Sequence, residues 1–241
     1  MSLKSASPFL SALFLLAVFG RAEGDFLVLE RLGQAQVRFP AATHPAAAVP
    51  TWREVEKSMK IPPGSLLRTG EASILRLWLR PLAKLSMGEK SKLLLTTQFT
   101  GSRQIHLAML EEGRACLEAP SLDETVLHEL RLGEVRVQCG LGKLLASRTT
   151  MDNTAMIWQV EGESHVTADV SQDNVPDPRG IKLDSIRGVS MRARERLTVR
   201  ELRYAKRDYE GLPEGFGFAF VKPLVKPRGS ESYLDKRERW E

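Results

Sequence analysis

The chain has 241 residues, 42% hydrophobic and 27% charged, enough apolar content for one sizeable core or two small ones and too much for a disordered polymer. Aromatic residues make up only 7%, which argues against a base-stacking platform or an aromatic sugar groove. The net charge of +5 is too mild to name a nucleic-acid partner, and none is expected.

Residues 1–22 read as a secretory signal. Lys4 supplies the positive start, residues 9–19 are apolar, and Gly20-Arg21-Ala22 offers small residues for cleavage after Ala22. The apolar run is shorter than the ~20 residues of a membrane helix, so this signal helix is expected to enter the membrane only during export. No cysteine follows the cleavage point, which argues against a lipid anchor. Cleavage removes Lys4 and Arg21 and leaves a net charge of 5 − 2 = +3. The expected location is the periplasm or the medium. Export permits a disulfide between Cys116 and Cys139; two buried free thiols are the other reading.

Residues 28–37 predict two short strands around Gly33, and residues 40–50 an exposed loop rich in Ala and Pro. Residues 51–60 predict a turn or two of helix after a Thr cap, with Trp52, Val55 and Met59 on one side. A turn cluster, Pro62-Pro63-Gly64-Ser65, then leads through Leu66 and Leu67 to a second turn at Thr69-Gly70-Glu71, where Gly70 is expected to take positive φ. In residues 73–80, Leu75, Leu77 and Leu79 alternate with Ile74, Arg76, Trp78 and Arg80, so the leucines face a core and Arg76 faces out. Further apolar runs are broken at Gly88 and Ser91. Turns this frequent predict a stack of short strands.

A Gly-x-small-x-Val/Leu pattern recurs at Gly33, Gly113, Gly133 and Gly162. Each copy predicts a corner at glycine followed by a strand with one face inward, placing Val37, Leu117, Val135, Val137 and Val166 in the interior. The gaps, 113 − 33 = 80, 133 − 113 = 20 and 162 − 133 = 29, exclude a strict solenoid period. Residues 171–180 are a loop by composition. Strands are expected up to Val199, then a short helix over residues 200–208, where the basic excess lies. Residues 201–241 are expected to form a basic, partly extended tail, with alternation at Phe216, Phe218 and Phe220.

No histidine spacing suits a metal, and no serine sits in a nucleophile elbow, so no metal, cofactor or catalytic residue is assigned. Gly140-Leu141-Gly142-Lys143 lacks the Ser or Thr of a phosphate loop and predicts a hairpin turn. Glu111-Glu112 and Asp123-Glu124 read as solvated carboxylates on turns. A secreted carbohydrate-active hydrolase would need paired carboxylates in an aromatic groove, and the tryptophans, Trp52, Trp78, Trp158 and Trp240, are scattered.

Gly64, Leu66, Thr69, Gly70, Ser73, Leu75, Leu77, Leu85, Gly88, Ser91 and Leu93, in this order, resemble the pattern of the FecR domain, an extracytoplasmic all-β module of bacterial envelopes. The resemblance spans residues 28–170. It implies an irregular twisted β-sandwich or β-solenoid-like stack over residues 23–200, with Gly64, Thr69, Gly70, Ser73, Leu75, Leu77, Gly88, Gly113, Gly133 and Gly162 as its turn and core positions. It also implies a non-enzymatic role. Full-length proteins of that type sense an outer-membrane receptor and regulate a sigma factor through a cytoplasmic segment. Here a signal leads directly into the domain, so the expectation is a stand-alone exported module that binds an envelope protein or cell-wall glycan, with a role in envelope signalling.

Overall fold

The computed structural model describes residues 26–41, 51–80, 83–120, 125–169, 183 and 188–210. The expected signal, the loop at 171–180, and the tail beyond residue 210 lie outside them, as do His44, Asp123, Glu124 and Trp240. The described residues are all-β and contain no helix. The strands are β1 (Phe26–Leu32), β2 (Ala35–Arg38), β3 (Arg53–Glu54), β4 (Lys60–Ile61), β5 (Ser65–Thr69), β6 (Ile74–Leu79), β7 (Ala83–Met87) and β8 (Lys92–Thr100). They continue with β9 (Arg103–Ala119), β10 (Val126–Leu132), β11 (Val135–Thr149), β12 (Thr154–Ala168), β13 (Val189–Arg192), β14 (Glu195–Arg200) and β15 (Arg203–Asp208).

Two runs of pairing organise them. One is β3-β2-β5-β8, then the first part of β9, then β10, the first part of β11, the last part of β12 and β13. The other is β4-β1-β6-β7, then the last part of β9, the last part of β11, the first part of β12, β14 and β15. Strands β9, β11 and β12 therefore serve both runs. They change over at Gly113, at Gly142 and at Gly162, all with positive φ. Gly142 and Gly162 face each other, and a Cβ on Gly162 would lie 1.7 Å from the Leu141 carbonyl oxygen, so the chains can cross there only without side chains.

β9 and β10 pair in parallel, His106 opposite His128. Parallel neighbours need a crossover. Here the second part of β9, paired in the other run, separates the two parallel segments along the chain.

The interior is common to both runs. Val37, Leu75, Leu77, Leu79, Leu117, Val135, Val137 and Val166 are buried in one cluster, as the alternation and the glycine pattern predict. Strands also hold to Val199, as expected.

Other expectations are corrected. Residues 51–60 form no helix: β3 and β4 flank a turn, because Val55 is drawn into the core between short edge pairings. Residues 200–208 are no helix either. β15 pairs with β14 in register from Arg203 to Asp208, so the sheet continues past residue 200. The strands are not all short, since bends at glycine let β9 run for 17 residues and β11 and β12 for 15 each. Gly140 and Gly142 sit inside β11 at an irregularity, not at a hairpin turn. Glu111 and Glu112 lie within β9, and Glu111 pairs with Lys92. Arg76 is only 6% exposed and pairs with Glu30, because the outward side of this run is also densely covered.

Candidate functional site

The sequence Gly-Glu-x-Ser occurs at Gly70-Glu71-Ala72-Ser73 and again at Gly88-Glu89-Lys90-Ser91. Each builds the same tight turn. The serine hydroxyl donates back to the glutamate carbonyl, 2.8 Å for Ser73 to Glu71 and 3.1 Å for Ser91 to Glu89. The residue between is forced to positive φ, 47° at both Ala72 and Lys90. Each hydroxyl also accepts a backbone N–H from across the fold, Gln34 to Ser73 at 2.9 Å and Arg114 to Ser91 at 2.8 Å. The glycines opening the turns return the bond: Gly70 N–H donates to Gln34 and Gly88 N–H to Arg114, both at 2.9 Å. Ser73 rests on Gly33 and Ser91 on Gly113.

Thr69 joins the turns. Its hydroxyl donates to the Gly88 carbonyl and accepts from Ser91 N–H at 2.9 Å, while Thr69 N–H donates to the Ser91 carbonyl at 3.0 Å. Lys90 and Glu71 form a 2.8 Å ion pair on the outside. That pairing lowers the Glu71 pKa and raises that of Lys90.

The register carries the duplication through the flanking strands. Ala35 pairs with Thr69 as Ala115 pairs with Met87, and Phe26 pairs with Leu79 as His106 pairs with Thr97. The offsets are constant, 113 − 33 = 80 for one strand set and 88 − 70 = 18 for the other. β1, β2, β5 and β6 are thus matched by the two parts of β9, β7 and β8, with the two runs exchanged.

Of the sequence-predicted positions, Thr69, Gly70, Ser73, Gly88 and Gly113 meet in this joint, and Leu75 and Leu77 lie in the core beneath it. Gly64 closes the far end of β5, its N–H donating to Leu95 at 2.7 Å. Gly133 turns β10 into β11, and Gly162 is at the β12 changeover. Gly70 departs from expectation: its φ is not positive, because Ala72 takes the left-handed position of the turn.

The side chains with chemistry collect elsewhere, on the outward face of β9 to β12. A groove of about 340 Å³ is lined by Ile105, Leu127, Glu129, Arg136, Gln138, His165 and Thr167. Alternation places them there, since Leu130, Val137 and Val166 between them point inward. At one end of the groove Glu129 meets Arg131 at 2.9 Å and Arg136 at 3.1 Å, and both arginines reach Asp169, at 3.1 and 3.2 Å. This ring of four charges fixes its members and leaves Gln138 and His165 exposed to a ligand. The His165 ring lies 3.4 Å from the Ser190 hydroxyl. Such a surface can hydrogen-bond an extended polar partner. Of the described tryptophans none lines it. Sequence reasoning missed Glu129, Arg131, Arg136 and Asp169, although the first three alternate with apolar residues in β10 and β11.

His106 and His128 stack in the interior, ring centres 5.5 Å apart. Among the described residues no cluster of three or more His, Cys, Asp or Glu is arranged for a metal. Cys116 and Cys139 are free, buried in separate apolar clusters, and burial pushes both thiols up to about 12.

No family model matches the chain. No curated protein matches it either. Two crystal structures of a candidate anti-sigma factor from Parabacteroides distasonis ATCC 8503, at 1.65 and 2.50 Å resolution, are similar to it in structure. Their TM-scores are 0.46 and 0.45 at 13% and 14% identity, with 59% of this chain and 59% of each of theirs covered. The chain therefore spans less than two thirds of the length of those proteins.

Proposed function

We propose that this chain is an exported, non-enzymatic module of the bacterial envelope, a FecR-like domain that binds another protein or a cell-wall component through the outward face of β9 to β12. In this reading the two pairing runs form an irregular twisted sandwich, solenoid-like where β9 coils into β10. One observation carries the proposal. The polar residues of the resemblance, Thr69, Ser73 and Ser91, are engaged in backbone joints. The outward groove instead presents the exposed Gln138 and His165 beside the charge ring of Glu129, Arg131, Arg136 and Asp169. A rigid scaffold with a polar face is what recognition requires, and envelope signalling is the role such a module serves.

Fractionation and N-terminal sequencing test the compartment: the mature chain should begin at Glu23, outside the cytoplasm. A photo-cross-linking residue in place of Gln138 tests the face. It should yield a discrete envelope adduct that the same residue at Thr149 does not. Full-length chain confined to the cytosol, or equal adducts from both positions, would overturn the proposal.

A further inference from the structure

Away from the groove, at the edge formed by β3, β2 and β5, two arginines converge on one tryptophan. The Arg68 guanidinium lies 4.1 Å from the centre of the Trp52 ring and that of Arg38 5.3 Å from the same centre. Strand alternation sets this up. Val37 and Leu67 are buried, so Gln36, Arg38 and Arg68 point outward on neighbouring strands, and Trp52 lies beside them just before β3.

Two further features define the arrangement. Gln36 holds Arg68 in place, its Oε1 accepting from Nε at 2.8 Å and from Nη2 at 2.6 Å. That grip uses the Nε and Nη2 groups and leaves the Nη1 N–H donors outside it. No described carboxylate pairs with Arg38 or Arg68, and the acid across β2 from Gln36, Glu54, is taken by Arg31.

The shared ring keeps the two cationic centres within about 10 Å of each other, no more than one Debye length at 0.1 M salt. Two like charges so placed repel, and stacking on an indole compensates only in part. An oxyanion bound by both guanidinium groups offsets that repulsion and accepts their N–H donors. Arginine forks suit phosphate better than a single ammonium would. We infer that Arg38, Trp52 and Arg68 form a binding site for a phosphate group, carried by a lipid headgroup or free in solution. The site rests on neither the groove nor the export reading, and it is tested on the purified chain alone.

The experiment titrates inorganic pyrophosphate, and separately vesicles of phosphatidylglycerol or of phosphatidylcholine, at low salt, by calorimetry and tryptophan fluorescence. The variants are Arg38→Gln/Arg68→Gln, Arg38→Lys/Arg68→Lys, and Arg80→Gln, which removes the one described arginine stacked on Trp78. Thermal melts confirm that each is folded. The expected result is binding that weakens at least tenfold in the double glutamine variant, weakens in the double lysine variant, and is unchanged in Arg80→Gln. Pyrophosphate binding supports a soluble ligand; phosphatidylglycerol binding without pyrophosphate binding supports a headgroup. No binding of either, equal loss in Arg80→Gln, full binding by the lysine variant, or a poly-glutamate peptide binding as tightly as phosphate would overturn the site.

Discussion

Ser91 stands where a side chain on Gly113 would have to go: a Cβ built on Gly113 lies 2.4 Å from the serine hydroxyl oxygen and 2.6 Å from its Cα. The second contact is backbone and cannot swing away. Gly113 also has φ of 95°, which strains any other residue. Gly113→Ala should therefore destabilise the fold by roughly 2–4 kcal/mol. Gly33→Ala, in the matching position against Ser73, should behave alike. Gly70→Ala should cost under ~1 kcal/mol, because its Cβ meets mainly the exposed Gln34 side chain, which can move. Denaturant midpoints would rank the three. Equal losses would mean that the serine-glycine contacts are not what holds the turns.

Leu77 is fully buried, and truncation to Ala should cost about 2–5 kcal/mol. Arg76, its neighbour in β6, is also buried and pairs with Glu30, so Arg76→Ala should cost about 1–3 kcal/mol. A surface arginine would cost far less. Urea melts of the two variants test whether both sides of β6 are covered; an unchanged midpoint for Arg76→Ala would deny it.

The core was legible in the sequence because period-two alternation survives in single strands such as β6, and because glycine marks each bend. Two things hid the rest. Residues 200–208 mix helix formers with alternation, and only pairing with β14 decides for strand. The groove side chains come from four strands whose register no local pattern encodes. The duplication was visible in part: Gly-Glu-x-Ser occurs twice, and a Gly-x-Ala opens both Gly33-Gln34-Ala35 and Gly113-Arg114-Ala115, but the two copies run through pairings that exchange places, so no simple period exposes them.

Cys116 and Cys139 carry a pH prediction. Burial raises both folded pKa values to about 12, above the value near 8.5 of an unfolded thiol. A raised pKa means that the folded state holds its protons longer. The contribution to stability is complete below about pH 8.5 and is lost as pH rises toward 12. Stability should fall across that window, and less steeply in Cys116→Ala/Cys139→Ala. Native protein at pH 8 should also resist thiol-specific alkylation until unfolded; rapid labelling would contradict the burial.

Thr69 offers the sharpest test of the joint. Its hydroxyl is bonded to both halves of the second turn, donating to the Gly88 carbonyl and accepting from Ser91 N–H, and Thr69 is only 8% exposed. Thr69→Val keeps the shape and removes the hydroxyl, leaving a buried carbonyl and a buried N–H short of a partner. Each orphan costs about 1–3 kcal/mol, so a loss of roughly 2–4 kcal/mol is expected. Thr69→Ser keeps the hydroxyl and gives up one methyl, which should cost under ~1.5 kcal/mol. Hydrogen exchange adds the location: the Ser91 amide should lose protection in the valine variant before the Leu77 amide does, since the turn opens while the strand beneath it holds. If valine proves as stable as the parent, the hydroxyl does not join the turns and the duplicated joint has no energetic role.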